Sequence, residues 1–195
     1  MRALWLAGVA LMMASGAQAA DPDELGCMEQ NYTPEQTAQI DGLLPQVDMM
    51  AAADNSAMNA MGMLVGGAAS SCAATYTWDQ TQFQAAIFFE LGRLMEQAIR
   101  RHGPLAQEDI AKIDEALAKG DRTALWTALE QQVMQGMEGQ PDSVSPGNAM
   151  LFGTFMLEVG LGLEQEKAEK VGAFLATRAM QRSSRRAFAG QQEEP

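Results

Sequence analysis

The side chains of this sequence that could do chemistry are few, and most sit where chemistry is not their simplest use. His102 is the single histidine. One imidazole cannot supply the two Glu-x-x-His pairs of a di-metal carboxylate bundle, and no Cys-x-x-Cys-His run exists for haem attachment. His102 closes the run Arg100-Arg101-His102 before Gly103-Pro104, where cations complement a helix dipole at its C-terminal end. A dipole-complementing surface residue is therefore expected there, and no catalytic residue is assigned.

Methionine is the sharper possibility. Met49, Met50, Met58, Met61 and Met63 fall within fifteen positions, and thioethers are ligands for Cu(I). Met58 and Met61 have a Met-x-x-Met spacing, and His102 is a third candidate ligand. At about 100° per residue, however, Met63 turns well away from the other two, so the three cannot share one ion on a helix. Methionine also fills irregular gaps in a core rich in alanine and glycine. Core packing is the expectation, with no metal and no cofactor.

Cys27 and Cys72 are the only cysteines. The first nineteen residues carry Arg2, an apolar run from Ala3 to Ala14 and a small-x-small end at Ala17-Gln18-Ala19. That pattern predicts a secretory signal peptide cleaved after Ala19, too short for a membrane span. In an oxidising compartment such as a bacterial periplasm, a Cys27–Cys72 disulfide follows. Neither sulfur has a nearby histidine or Cys-x-x-Cys partner to activate it as a nucleophile.

Two acids interrupt apolar patterns. Asp54 lies in the apolar arc of its segment, and Glu158 lies in AMLFGTFMLEVGLGL, the most apolar stretch after the leader. An unpaired buried carboxylate is costly. Each should be partnered, with Arg93 or Arg178 as candidates, or lie at a helix edge; a catalytic pair is the less common use.

Charge divides the chain. From position 3 to 92 there are ten acids and no lysine or arginine; from 93 to 195 there are twelve basic residues and fifteen acids. The net charge of −12 argues against nucleic acid and anionic membranes as partners. The acidic half is a candidate surface for a basic exported protein.

The elements that must position these residues are helical throughout. Residues 20 to 32 read as a polar, extended arm anchored by Cys27. Thr33-Pro34-Glu35-Gln36 has the form of a capping box with proline at the first helical position, and that helix should stop near Gly42. The same residues with Tyr32 resemble, over five positions, the Leu-Thr-x-x-Gln motif of small periplasmic stress chaperones, with tyrosine for leucine and one copy for two. A methionine- and glycine-rich helix should start at Pro45, and another, after a capping box at Thr77 to Gln80, should run to His102. Shorter helices are predicted at about 105–118 and after Asp121. Residues 136 to 147 form a loop, Ser145-Pro146 starts the apolar helix, expected to be central and buried, and a last helix spans about 165 to 183.

These elements predict an all-α fold: one bundle-like domain of six or seven helices over residues 33–183, with one disulfide and a flexible tail over 184–195. The functional expectation is an exported, non-enzymatic protein acting through protein contacts, as an inhibitor, adaptor or chaperone-like binder. A binding module for copper or a hydrophobic ligand is the alternative, the ligand lying between the glycine-notched helix and the apolar one, against Met61, Phe88, Phe152 and Phe155.

Overall fold

A computed structural model describes residues 20–47, 56–137 and 145–191. The expected signal peptide, Met49, Met50 and Asp54 lie outside the described residues. Among those described there are eight α-helices, two 3-10 turns and no strand. The helices are α1 (Cys27–Gln30), α2 (Pro34–Leu43), α3 (Ser56–Tyr76), α4 (Gln80–His102), α5 (Gln107–Leu117), α6 (Thr123–Met137), α7 (Pro146–Glu158) and α8 (Gln165–Phe188). No described helix is long and apolar enough to cross a membrane.

α4 and α8 form the axis, packed against each other more extensively than any other pair. Gly92 makes their close approach possible. A Cβ there would lie 2.9 Å from the Thr177 carbonyl oxygen and 3.0 Å from Gln181, so only glycine lets the backbones meet at this point. Two hydrophobic clusters are strung along the axis. The first gathers Met28, Leu44, Met61, Val65, Cys72, Trp78, Leu94 and Phe188; the second gathers Ile99, Ile113, Leu125, Phe155, Met156, Val171, Phe174 and Leu175.

The capping box predicted at Thr33 is present, with Thr33 accepting from the Gln36 amide and Gln36 reaching back to the Thr33 amide. The start of α4 differs by two residues. Asp79 and Gln82 make the reciprocal pair, while Thr77 adopts a left-handed φ of 57°. Two capping patterns overlap in Thr-Trp-Asp-Gln-Thr-Gln, and burial of Trp78, edge-on to Phe188 at 5.0 Å, favours the register that ends the turn after it.

The N-terminal arm is a correction to the extended segment expected. Residues Pro22–Gly26 form a 3-10 turn that leads into α1. Leu25 and Met28 are buried, which an isolated short apolar pair in a polar segment did not suggest. The Cys27–Cys72 disulfide ties this arm to α3 across 45 positions, and the Asn31 amide donates to both sulfurs, at 2.9 and 3.3 Å. Pro45 sits in a 3-10 turn, Leu44–Gln46, and Val47 is extended, so no helix continues from Pro45 as predicted.

α8 runs to Phe188 rather than stopping near 183, so the tail expected from 184 is helical over its first residues. Ser184 and Phe188 are buried. The run Ser-Ser-Arg-Arg looks frayed in isolation, yet its arginines pair with Glu130 and Asp23 and Phe188 closes the first cluster.

The largest departure concerns the apolar segment at 149–163. It is peripheral. α7 ends at Glu158, where the Gly160 amide bonds to Leu157 and the Leu161 amide to Met156, a helix stop that requires the left-handed φ of 70° at Gly160. Only Phe155 and Met156 of this helix are buried.

Candidate functional site

Because α7 touches the body through one narrow stripe, both of its flanks stay open. On one flank it forms an apolar groove of about 550 Å³ with α6 and α8. α6 contributes Leu125, Ala128, Leu129, Gln132 and Val133, a row at i, i+3, i+4, i+7 and i+8. α8 faces it with Glu169, Gly172, Ala173 and Ala176, again one face of a helix. α7 supplies Asn148, Ala149 and Phe152. The α8 wall is built from small residues, and Gly172 lies under the Phe152 ring, with room for a Cβ at 3.9 Å. The groove exists because, beyond Glu169 at one end, α8 presents only Gly172, Ala173 and Ala176 to it.

The other flank of α7 borders a cavity of about 250 Å³ lined by Arg122, Met150, Leu151, Thr154 and Glu158 among others. Between the flanks, Met150 and Leu157 point outward and are 72% and 60% exposed. Leu163, 59% exposed, lies against Gly153 and extends this apolar surface. Scattered exposed apolar residues are ordinary, but a run of them on one helix beside an apolar groove is the pattern of an interaction site.

Glu158 is not a buried acid. It is about half exposed and forms a two-pronged pair with Arg122, whose hydrogen bond holds its carboxyl below the ordinary range. The partner is neither Arg93 nor Arg178. Arg122 also lies over the Phe155 ring at 5.7 Å, so the pair staples α7 to the start of α6.

Among the described residues, the buried acids are Glu90 and Glu130. Glu90 accepts two hydrogen bonds from Arg93, at 2.8 and 2.7 Å, and one from the Tyr32 hydroxyl at 3.0 Å. Burial, followed by the charge of Glu90, pushes the Tyr32 hydroxyl far above its ordinary value, so it stays protonated as a donor. Glu130 accepts from Arg186 and, at 3.4 Å, from Arg182. Each carboxylate is fully partnered, which is the requirement for burying it. In sequence, the Glu-x-x-Arg of Glu90 and Arg93 was the available signal, and Glu130 had none within its own helix.

Met61 is buried in the first cluster, Met58 is half-buried, and Met63 is 78% exposed. His102 is exposed in the last turn of α4. No cluster of three histidine, cysteine or acidic residues that could hold a metal occurs among the described residues. The proposed ligand cavity between α3 and α7 is not what the helices build. Met61 and Phe155 belong to different clusters, and the groove lies between α6, α7 and α8.

Of the eight described acids in the first half, four pair with arginines of the second half. Arg93 reaches Glu29 as well as Glu90, Arg101 pairs with Asp41, and Arg185 with Asp23. The charge division thus joins the two halves to each other, and the most distinctive exposed surface lies around α7. Fold and groove together define an all-helical protein with an open apolar face. Comparison with protein-family models, with curated proteins and with solved structures finds no match to this chain.

Proposed function

We propose that this chain is an exported, non-enzymatic helical protein that binds another protein, taking an amphipathic helix of a basic partner into the groove between α6, α7 and α8. The observation that carries this reading is the pair of rows facing each other at helical spacing, Leu125 to Val133 on α6 and Glu169 to Ala176 on α8. Helix-in-groove recognition needs such walls, with anchors at i, i+3, i+4 and i+7 on the incoming helix. The α6 row spans about 12 Å at 1.5 Å per residue, room for about two turns. Ala128, Ala149, Gly172, Ala173 and Ala176 permit close approach of a backbone. The exposed Met150, Leu157 and Leu163 enlarge the contact beyond the groove, and the net charge of −12 favours a cationic partner. Export is supported by the apolar leader and by the disulfide.

A photoreactive residue at position 149, compared with one at position 119, an exposed position that does not line the groove, tests the proposal in intact cells. A discrete adduct from 149 alone, mapping by mass spectrometry to a basic amphipathic segment of one exported protein and lost in Ala173→Trp, is expected. An adduct to lipid, or equal labelling from both positions, would sink it. The second reading, a free hydrophobic ligand, is favoured by the groove's volume, which falls in the range of small-molecule sites; native mass spectrometry of the purified protein separates the two.

A further inference from the structure

A second pocket, of about 390 Å³, lies on the other side of α8 from the apolar groove and has a different chemistry. Arg178, Arg182 and Arg185 enter it from one face of α8, at i, i+4 and i+7. Trp126, Phe89 and Leu117 make its apolar wall, and Gln181 adds an amide. In a chain of net charge −12, this concentration of guanidinium groups is the exception.

Asp114 and Glu96 also line the pocket, but they and the neighbouring Glu130 do not use up these arginines. Asp114 is held by Arg100 through two hydrogen bonds, at 2.9 and 3.0 Å, and Arg178 is its second partner at 2.6 Å. Glu96 is held by Arg100 and Gln181. Glu130 is held by Arg186, and Arg182 reaches it only through Nε at 3.4 Å. Among the described residues, the two terminal nitrogens of Arg182 donate no hydrogen bond, and the group lies over Trp126 at 4.6 Å, held flat and half exposed. Among the described residues, the Arg185 side chain makes one ion pair, to the exposed Asp23 at 3.1 Å. Arg182 is therefore surplus to Glu130, Arg178 engages Asp114 through one terminal nitrogen only, and the planar forks of both match the oxygens of a carboxylate or phosphate.

We propose that this pocket binds a small amphipathic organic oxyanion, its anionic head on Arg182 and Arg185 with support from Arg178, and its apolar body against Trp126, Phe89 and Leu117. The site is independent of the α6–α7–α8 groove, so a ligand and a protein partner can be bound together. Trp126 sits beneath the anion-binding arginine and reports occupancy directly.

Titration of the intact protein with phenyl phosphate, inorganic phosphate and phenol, followed by tryptophan fluorescence and calorimetry, tests the assignment. Saturable binding of phenyl phosphate is expected, at least tenfold tighter than inorganic phosphate, with none for phenol. The double variant Arg182→Gln/Arg185→Gln should weaken phenyl phosphate at least tenfold with an unchanged circular dichroism spectrum, because Arg186 keeps Glu130 paired. Should that variant fail to fold, Arg182→Lys retains the charge without the fork and should weaken binding several-fold. No saturable signal up to about 10 mM, a free energy well short of ordinary ligand affinity, would overturn the proposal. So would equal affinity in wild type and variants, or binding of phenol as tight as phenyl phosphate.

Discussion

The two hydrophobic clusters share one helix pair, yet they are closed in opposite ways. Around the first, the N-terminal arm is pinned by the Cys27–Cys72 bond, Tyr32 and Arg93 converge on Glu90, and Phe188 seals the end against Trp78. Around the second, no covalent link is present among the described residues, α7 is held by the buried Phe155 and Met156, the half-buried Phe152 and the Glu158–Arg122 pair, and apolar walls are left without cover. The first region spends its side chains on holding the fold together. The second leaves an apolar face open, and leaving it uncovered costs stability that the first region and the α4–α8 axis must provide.

Removing the disulfide should break this contrast most strongly. Cys27→Ala/Cys72→Ala frees a loop of 45 positions, a loss on the order of 4 kcal/mol in the chain-entropy model. Urea unfolding should show it, and hydrogen exchange should quicken in the arm, α1 and α3 before α6 and α7. Equal acceleration everywhere would mean that the two regions are one cooperative unit.

Gly92→Ala tests the shared axis instead. The new methyl meets the Thr177 carbonyl, a backbone atom, and overpacking of this kind costs about 1–3 kcal/mol. Alanine returns up to about 1 kcal/mol of helix propensity, so a net loss on the order of 1 kcal/mol is expected, with both clusters loosened together. A stabilised variant would show that α4 and α8 can separate slightly without harm.

The smallest effect is acid sensitivity at Asp114, on the second region. Burial alone would raise its carboxyl, but the hydrogen bonds and charges of Arg100 and Arg178 overcome this and hold it below the ordinary value of 3.8. With a depressed folded-state value, the contribution is present above pH 3.8 and fades as the pH falls through the lower folded-state value. Asp114→Asn should therefore lower stability near pH 7 and flatten the decline below about pH 4, read as urea midpoints. An unchanged acid limb would remove Asp114 from the account.

Much of the helix pattern was legible in the sequence because it is local. The capping box at Thr33, the Gly103-Pro104 stop and the inward faces of α3 and α8 follow from spacing and backbone chemistry within a few residues. The candidate site was not legible. Small residues at Ala128, Ala149, Gly172, Ala173 and Ala176 belong to three helices, and each reads alone as ordinary helix surface. Glu158 was singled out for its apolar neighbours, but a hydrophobic stretch does not say which of its sides meets a partner. The truly buried Glu90 and Glu130 are tolerated because arginines from the same and from distant helices surround them.

By itself, then, the sequence determined the helical class, the pairing of its only two cysteines, and where several helices begin and stop, since these depend on periodicity, covalent chemistry and capping. Tertiary structure alone decided that α4 and α8 are the axis, that the most apolar helix lies outside it, and that α8 separates an apolar groove from an arginine-lined pocket. Burial is a property of which faces meet, and that is settled by packing between segments far apart in the chain.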